Sequence, residues 1–251
     1  MAIFNDMGTT DELINGIILE NFKLKSLFIG GTDTDVGKTY ITAGLAVALR
    51  KMNVDVGVMK PFAAGTAQKK GYKSEDVEIL AKAAQICDPE NLVNPQFFPI
   101  PASPYTAWKN LKIKPKVPTI LSSFKKLSKL HQMLLVEGMG GMMTPILKNY
   151  YITNLVKEMN IPTIIVTRSK VGTVNHTVMT ILMCQKYKIP IKGIIINNFD
   201  DDGYPVKNLK RDLESLTGVK VLGSIPFIKD MSDSSLNRIF KKNIDFKKLL
   251  S

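Results

Sequence analysis

A chain of 251 residues with 45% hydrophobic and 22% charged residues carries enough apolar surface for one substantial core, a balance that excludes a disordered or fibrous protein. No apolar run approaches the roughly 18 to 20 residues of a membrane span, and the first residues lack the basic head and small-residue cleavage site of a secretory leader, so a cytoplasmic protein without a membrane partner is expected. The net charge of +12 invites a nucleic-acid partner, but among 34 Lys and Arg only Arg50, Arg168, Arg211 and Arg238 are arginines; arginine's planar fork is the group that reads bases and clamps phosphates, so no nucleic acid is expected.

The chain is acidic through residue 22, with Asp6, Asp11, Glu12 and Glu20, and turns basic at Lys23. Residues 1–23 therefore read as an N-terminal extension, with a short amphipathic helix over Asp11–Phe22, and residues 24–251 as a single domain. From Ser26 onward, apolar runs alternate with segments of helical period. Strands are predicted at Leu27–Gly30, Val54–Met59, Met133–Val136, Pro162–Thr167, Lys192–Ile196 and Lys220–Leu222. Helices are predicted at Lys38–Met52, Ser74–Ala84, Pro118–Leu130, Thr153–Met159, Thr173–Tyr187 and Tyr204–Leu216.

That alternation predicts an α/β fold with a mostly parallel central sheet and helices on both faces. The nearly continuous Val, Ile and Leu of the strands fits burial on both sides, and ligands of such sheets bind at the carboxyl ends of the strands. Asn94–Pro104, rich in proline, reads as a long, partly functional loop. Between Glu90 and Glu137 there is no acidic residue but there are lysines at 109, 112, 114, 116, 125, 126 and 129, a solvated basic face or an aid to anionic ligands. Cys87 and Cys184 are too few for a disulfide framework or a zinc site and read as reduced structural thiols.

The first strand runs into Gly30-Gly31-Thr32-Asp33-Thr34-Asp35-Val36-Gly37-Lys38-Thr39-Tyr40. A strand, a glycine-rich turn and a helix opening near Lys38 form the context of a phosphate-binding P-loop. Backbone N–H groups cradle phosphate oxygens, Lys38 reaches the outer phosphates, and the Thr39 hydroxyl can ligate Mg²⁺. The usual spacing has four residues between the glycines; here five separate Gly31 from Gly37. The longer loop gathers Thr32, Asp33, Thr34 and Asp35 around the site, more polar chemistry than phosphate binding needs.

The stretch Gly31–Thr39 resembles the GTDTxVGKT signature of dethiobiotin synthetases. Three further elements follow in order: Lys60-Pro61-Phe62-Ala63-Ala64-Gly65 is similar to the family's KPxxSG, Glu137-Gly138-Met139-Gly140-Gly141 to VEGAGG, and Gly172-Thr173-Val174-Asn175-His176 to GxxNH. The resemblance runs from about Leu24 to the C-terminal helix. It implies a single-domain P-loop-type fold and a cytoplasmic homodimeric ligase of biotin biosynthesis. Such an enzyme closes a cyclic urea from 7,8-diaminononanoate and CO₂ with ATP and Mg²⁺: one amine forms a carbamate, ATP phosphorylates it, and the second amine expels phosphate, leaving ADP.

The same resemblance implies the residue roles. Lys38, Lys60 and Thr34 are the catalytic set, with Lys38 and Lys60 offsetting the repulsion between carbamate and triphosphate. The nucleotide falls to Asp33, Thr34, Asp35, Val36, Gly37, Lys38, Thr39, Tyr40, Glu137 and Gly138, with Asn197 and Pro226 on the adenine side. Magnesium falls to Thr39, Asp76 and Glu137, all hard oxygen donors. Substrate contacts fall to Thr34, Lys60, Ala64 and Gly140, and to Gly172, Thr173, Val174 and Asn175, a helix start that receives the substrate carboxylate across a dimer interface.

Several residues have a second reading. Asp76 with Ser74 and Glu75 also makes a good helix start, Asn197 suits a turn, and His176 reads as a supporting group rather than a base. Asp35 stands where Glu is common and Ala64 where a hydroxyl residue is usual. Partitioning ATPases of related fold carry an early lysine in KGGxGK[ST], absent here; small-molecule kinases lean on arginines, scarce here; and a cobyrinate-type amide synthetase normally adds a glutamine-hydrolysing domain, for which the chain has no room.

Overall fold

Successive residues of the central strands face opposite sides of one sheet, and both sides are buried. Leu27 and Ile29 enter one apolar cluster and Phe28 the other; Leu135 parts in the same way from Leu134 and Val136, and Ile164 from Ile165. This is why the strands read as unbroken apolar runs, each side chain contributing about 1.5 to 3 kcal/mol through its burial. The computed structural model describes residues 25–198 and 203–251, so the extension and its expected helix lie outside the described residues.

The strands in chain order are β1 (Ser26–Gly31), β2 (Val56–Met59), β3 (Phe62–Ala64), β4 (Gln96–Phe98), β5 (Met133–Glu137), β6 (Pro145–Leu147), β7 (Tyr150–Tyr151), β8 (Thr163–Arg168), β9 (Ile191–Asn198) and β10 (Val221–Pro226). Six of them form an all-parallel sheet in the order β10-β9-β8-β1-β5-β2, with the loop-bearing β1 near its middle. The helices are α1 (Lys38–Arg50), α2 (Glu75–Ala84), α3 (Glu90–Val93), α4 (Pro104–Leu111), α5 (Val117–Leu130), α6 (Ile152–Met159), α7 (Thr173–Lys186), α8 (Val206–Thr217), α9 (Asp233–Asn243) and α10 (Phe246–Leu250).

One face of the sheet is covered by α1, α2, α9 and α10, the other by α5, α6, α7 and α8, which makes three layers. Helix α1 packs between α2 and α9. Its Gly44 costs roughly 1 kcal/mol of helix propensity against alanine. A Cβ there would stand 2.0 Å from the Phe240 ring of α9, so the bare backbone is what lets the two helices meet.

All six expected strands of the sheet are present. β2 begins two residues later than expected because the Val54 amide donates to the Leu49 carbonyl at 3.2 Å and closes the end of α1 instead. Asn94–Pro104 is not a plain loop: β4 lies within it and pairs in parallel with β3, Phe62 opposite Gln96 and Ala64 opposite Phe98. The Phe62 and Phe98 rings are buried and stack with centroids 6.4 Å apart. Cys184 is buried, and burial pushes its thiol up to about 12, which suits a structural role; Cys87 is exposed and takes no part in the core.

Candidate active site

Strand register brings the charged residues together. Met59 of β2 is the partner of Val136 of β5, so Lys60 and Glu137, the next residues, leave the sheet side by side at its carboxyl edge. Ile29 of β1 lies opposite Glu137, which sets the phosphate loop directly beyond it. The Lys60 backbone is pinned on both sides, its amide donating to the Val93 carbonyl at 2.8 Å and its carbonyl accepting from Asn94 Nδ2 at 2.6 Å.

The loop between β1 and α1 is shaped by two left-handed residues, Asp35 at φ 56° and Gly37 at φ 87°. Asp is among the non-glycine residues enriched in that region because its side chain is short and polar. Gly31 serves close approach: a Cβ on it would stand 2.9 Å from Lys38 Cδ and 3.0 Å from Nζ. Lys38 therefore folds over its own loop and donates from Nζ to the Asp33 carbonyl at 2.8 Å.

Glu137 is fully buried. Its Oε1 accepts from Thr39 Oγ1 at 2.9 Å and from Lys60 Nζ at 2.6 Å, while Oε2 is buried with no hydrogen-bond partner among the described residues. Lys60 Nζ also donates to Asp76 Oδ2. Burial works against the Lys60 charge, but Glu137 and Asp76 outweigh it and hold its pKa above the usual lysine value. Burial dominates at Lys38, with Lys60 adding to it, and depresses the ammonium to about 8 against the pull of Glu137 and Asp76.

These residues line one cleft of about 1030 Å³, large enough for a nucleotide and a second small molecule. Of the residues singled out by sequence, Thr34, Asp35, Gly37, Lys38, Thr39, Tyr40, Lys60, Ala64, Asp76, Glu137, Gly138, Gly140, Asn197 and Pro226 all face it. Asp33 does not line the cleft; its exposed carboxylate accepts the Thr34 amide at 2.7 Å. The Val36 side chain is in the core, while its carbonyl accepts from Asn197 Nδ2 at 3.1 Å, so Asn197 is no simple turn former. Glu75 also lines the cleft, but it is Asp76 that pairs with Lys60.

Gly172, Thr173, Val174 and Asn175 form the start of α7 and do not line the cleft; His176, exposed on the same helix, does not line it either. Pro101, Ala102 and Ser103 also line the cleft and fall within the Asn94–Pro104 loop expected to be partly functional, whereas sequence reasoning missed Phe227, Ile228, Lys229 and Met231. Ser103 carried a local signal, since it precedes Pro104 and its hydroxyl caps α4 by accepting the Thr106 amide at 3.3 Å.

A family model described as an AAA domain matches residues 25–235. A protein of Nitrosopumilus maritimus named ATP-dependent dethiobiotin synthetase is 88% identical over 227 residues, which are 90% of this chain and 100% of that one. One of the same name from Bacillus velezensis is 33% identical over 88% of this chain and 95% of its own. The chain belongs to the dethiobiotin synthetase family. Among solved structures, the cell division ATPase MinD of Pyrococcus furiosus aligns with a TM-score of 0.52 at 15% identity, covering 87% of this chain and 99% of its own. The Pyrococcus horikoshii MinD bound to Mg-ADP gives 0.51 at 15% identity, covering 86% and 94%. Likeness at that identity bears on the fold, which this chain shares with P-loop ATPases, and not on the activity.

Proposed function

We propose that this family member is an ATP-dependent dethiobiotin synthetase that joins 7,8-diaminononanoate and CO₂ into the cyclic urea of dethiobiotin and releases ADP and phosphate. The observation that carries the reading is the meeting of Lys38 and Lys60 over the buried Glu137 in a cleft that the phosphate loop opens.

One amine of the substrate adds to CO₂ and loses a proton, giving a carbamate. A carbamate oxygen attacks the γ-phosphorus of ATP, ADP leaves, and the second amine then adds to the activated carbonyl carbon and expels phosphate. Both charges brought together are negative, so ammonium groups fixed in advance between them lower the barrier without reorganisation. Lys38 serves the transferring phosphoryl group and Lys60 the carbamate. Thr34 and Asp35 border the second substrate, and Ala64 offers it no hydroxyl.

Thr39, Asp76 and Glu137 fit Mg²⁺: they are hard oxygen donors at one spot, and the unpartnered Glu137 Oε2 needs a cation or a donor. When bound, the metal neutralises charge that develops on the transferring phosphate oxygens. Asn197, with its amide nitrogen given to Val36, keeps its carbonyl oxygen as an acceptor for an adenine amino group, and Tyr40, Pro226 and Phe227 supply apolar surface beside it.

The start of α7 receives the carboxylate of a substrate held by a second copy. Val171, Met179 and Leu182 are exposed next to and along that helix at 80%, 50% and 57%, an apolar stripe that a homodimer would cover. A cytoplasmic location fits the demand for MgATP, and none of the described helices is long and apolar enough to cross a membrane.

The test is to incubate the protein with 7,8-diaminononanoate, bicarbonate and MgATP and to look for dethiobiotin by mass spectrometry. Appearance of the product with stoichiometric phosphate supports the reading, and a folded protein that forms none overturns it.

A further inference from the structure

Beneath the phosphate loop lies a group of threonine hydroxyls that no step above uses. Thr167, fully buried at the end of β8, stands 3.4 Å from Thr32 Oγ1 of the loop, 2.5 Å from Thr173 Oγ1 and 2.9 Å from Thr177 Oγ1 of α7. Thr177 donates to the Thr173 carbonyl at 2.7 Å and Thr173 to the Arg168 carbonyl at 2.8 Å. Thr32 is also tied to β8 through its amide, which donates to the Val166 carbonyl at 3.0 Å.

A hydroxyl has one proton to donate and two lone pairs to accept with. The four hydroxyls thus bring one proton each, while the three hydroxyl pairs and the two carbonyls together ask for one more than that. Thr173 and Thr177 have carbonyls to satisfy, and the Thr167 proton goes toward α7. The arrangement that fills most bonds has Thr32 donate inward to Thr167. Thr167 then holds the loop and the α7 start to the same point, and the 3.4 Å bond to Thr32 is its loosest link.

We infer that Thr167 is a positioning residue for the reaction: its hydroxyl couples the phosphate loop to the start of α7, so that nucleotide and substrate carboxylate are held by parts that move together. The inference rests on the proposed reading for the carboxylate only, since the coupling itself is a property of the chain. Because α7 would serve the partner's substrate, the same link makes each loop sensitive to occupancy of the neighbouring site.

Thr167→Val keeps the shape and removes the hub. Thr173 and Thr177 retain their carbonyl acceptors but lose the hydroxyl that ties them to the loop, and the Thr32 proton loses its acceptor, so both segments are released from their common point. Expected is faster amide hydrogen exchange in residues 31–38 and 172–177 together, with the β5 residues 133–137 unchanged. Affinity for Mg-ADP and KM for the diamine should each worsen roughly threefold to tenfold, the range one hydrogen bond spans, with kcat changed less. Thr167→Ser should return all three to within about twofold of the parent. If Thr167→Val does not fold, Thr32→Val cuts the loop side of the same link and is expected to speed exchange in residues 31–38.

Exchange that stays at the parent rate in both segments, or that rises equally in β5 as a general loosening, overturns the inference, as does a folded Thr167→Ser that behaves like Thr167→Val. Failure of the parent to make dethiobiotin would overturn the proposed reaction, while exchange and Mg-ADP affinity would still decide the role of Thr167.

Discussion

Lys60 Nζ donates to Glu137 Oε1 at 2.6 Å across two neighbouring parallel strands, joining a lysine 5% exposed to a carboxylate 0% exposed. Breaking such a pair from one side leaves a buried charge unmatched and costs about 3 to 5 kcal/mol. Lys60→Met is therefore expected to lower stability by that order and to abolish turnover. Adding Glu137→Gln removes the stranded charge, so the double variant should regain much of the stability in a urea titration and none of the dethiobiotin formation. A double variant as unstable as Lys60→Met would show that the pair is not the source of the loss.

Lys38 sits over Gly31 and reaches the Asp33 carbonyl, a contact any long donor can give up when a phosphate arrives. Lys38→Ala removes a positive group from where charge develops and opens no large hole in the core. Turnover should fall by about 10²-fold or more, the scale of losing one electrostatic stabiliser. The circular dichroism spectrum and melting temperature should stay close to the parent's. Near-full activity would place the phosphate site elsewhere.

Asn197 holds the far side of the loop by donating to the Val36 carbonyl at 3.1 Å. Asn197→Ala should raise KM for ATP by roughly tenfold or less, as one neutral hydrogen bond allows, with kcat little affected. Gly37→Ala should be worse: its Cβ would stand 1.9 Å from Asn197 Nδ2, and φ 87° is unfavourable for alanine. Initial rates at varied ATP distinguish the two, and equal effects would argue against the loop's dependence on Gly37.

His131 lies between two carboxylates, with Nδ1 3.0 Å from Asp55 Oδ1 and Nε2 2.9 Å from Asp88 Oδ2. Burial works against its charge, but the hydrogen bonds to Asp55 and Asp88 outweigh it and raise the pKa above the ordinary histidine value. A raised histidine pKa adds stability that is fully present below the unfolded value of about 6.5 and is lost as pH rises through the folded value. Urea unfolding of the parent and of His131→Gln should therefore differ more at about pH 5.5 than at about pH 8.5. An equal difference at both would mean that the imidazolium is not what the carboxylates hold.

Much of the site was legible because its residues stand at strand ends. A lysine after Val56–Met59 and a glutamate closing Met133–Glu137 are misplaced in apolar runs unless they meet something, and in the folded chain they meet each other. Residues 101–103 were legible only as part of a partly functional loop, and the lining by Phe227, Ile228, Lys229 and Met231 was not legible at all. These residues follow no period, and they face the cleft only because chain segments distant in sequence return to one edge. Strands β3 and β4 escaped for a related reason: three residues are too few for alternation to register, and their pairing depends on Phe62 finding Phe98.

The sequence by itself determined the layered α/β plan, the phosphate loop with its added residue, and the candidates Lys38, Lys60 and Glu137, because periodicity and loop chemistry are local properties of the chain. Tertiary structure alone decided that β1 lies between β8 and β5, that Asp76 rather than Glu75 reaches Lys60, and that Thr167 touches both the loop and α7. Those outcomes depend on strand order and register, which are set by how the buried faces of the whole sheet pack, and no short stretch of sequence carries that information.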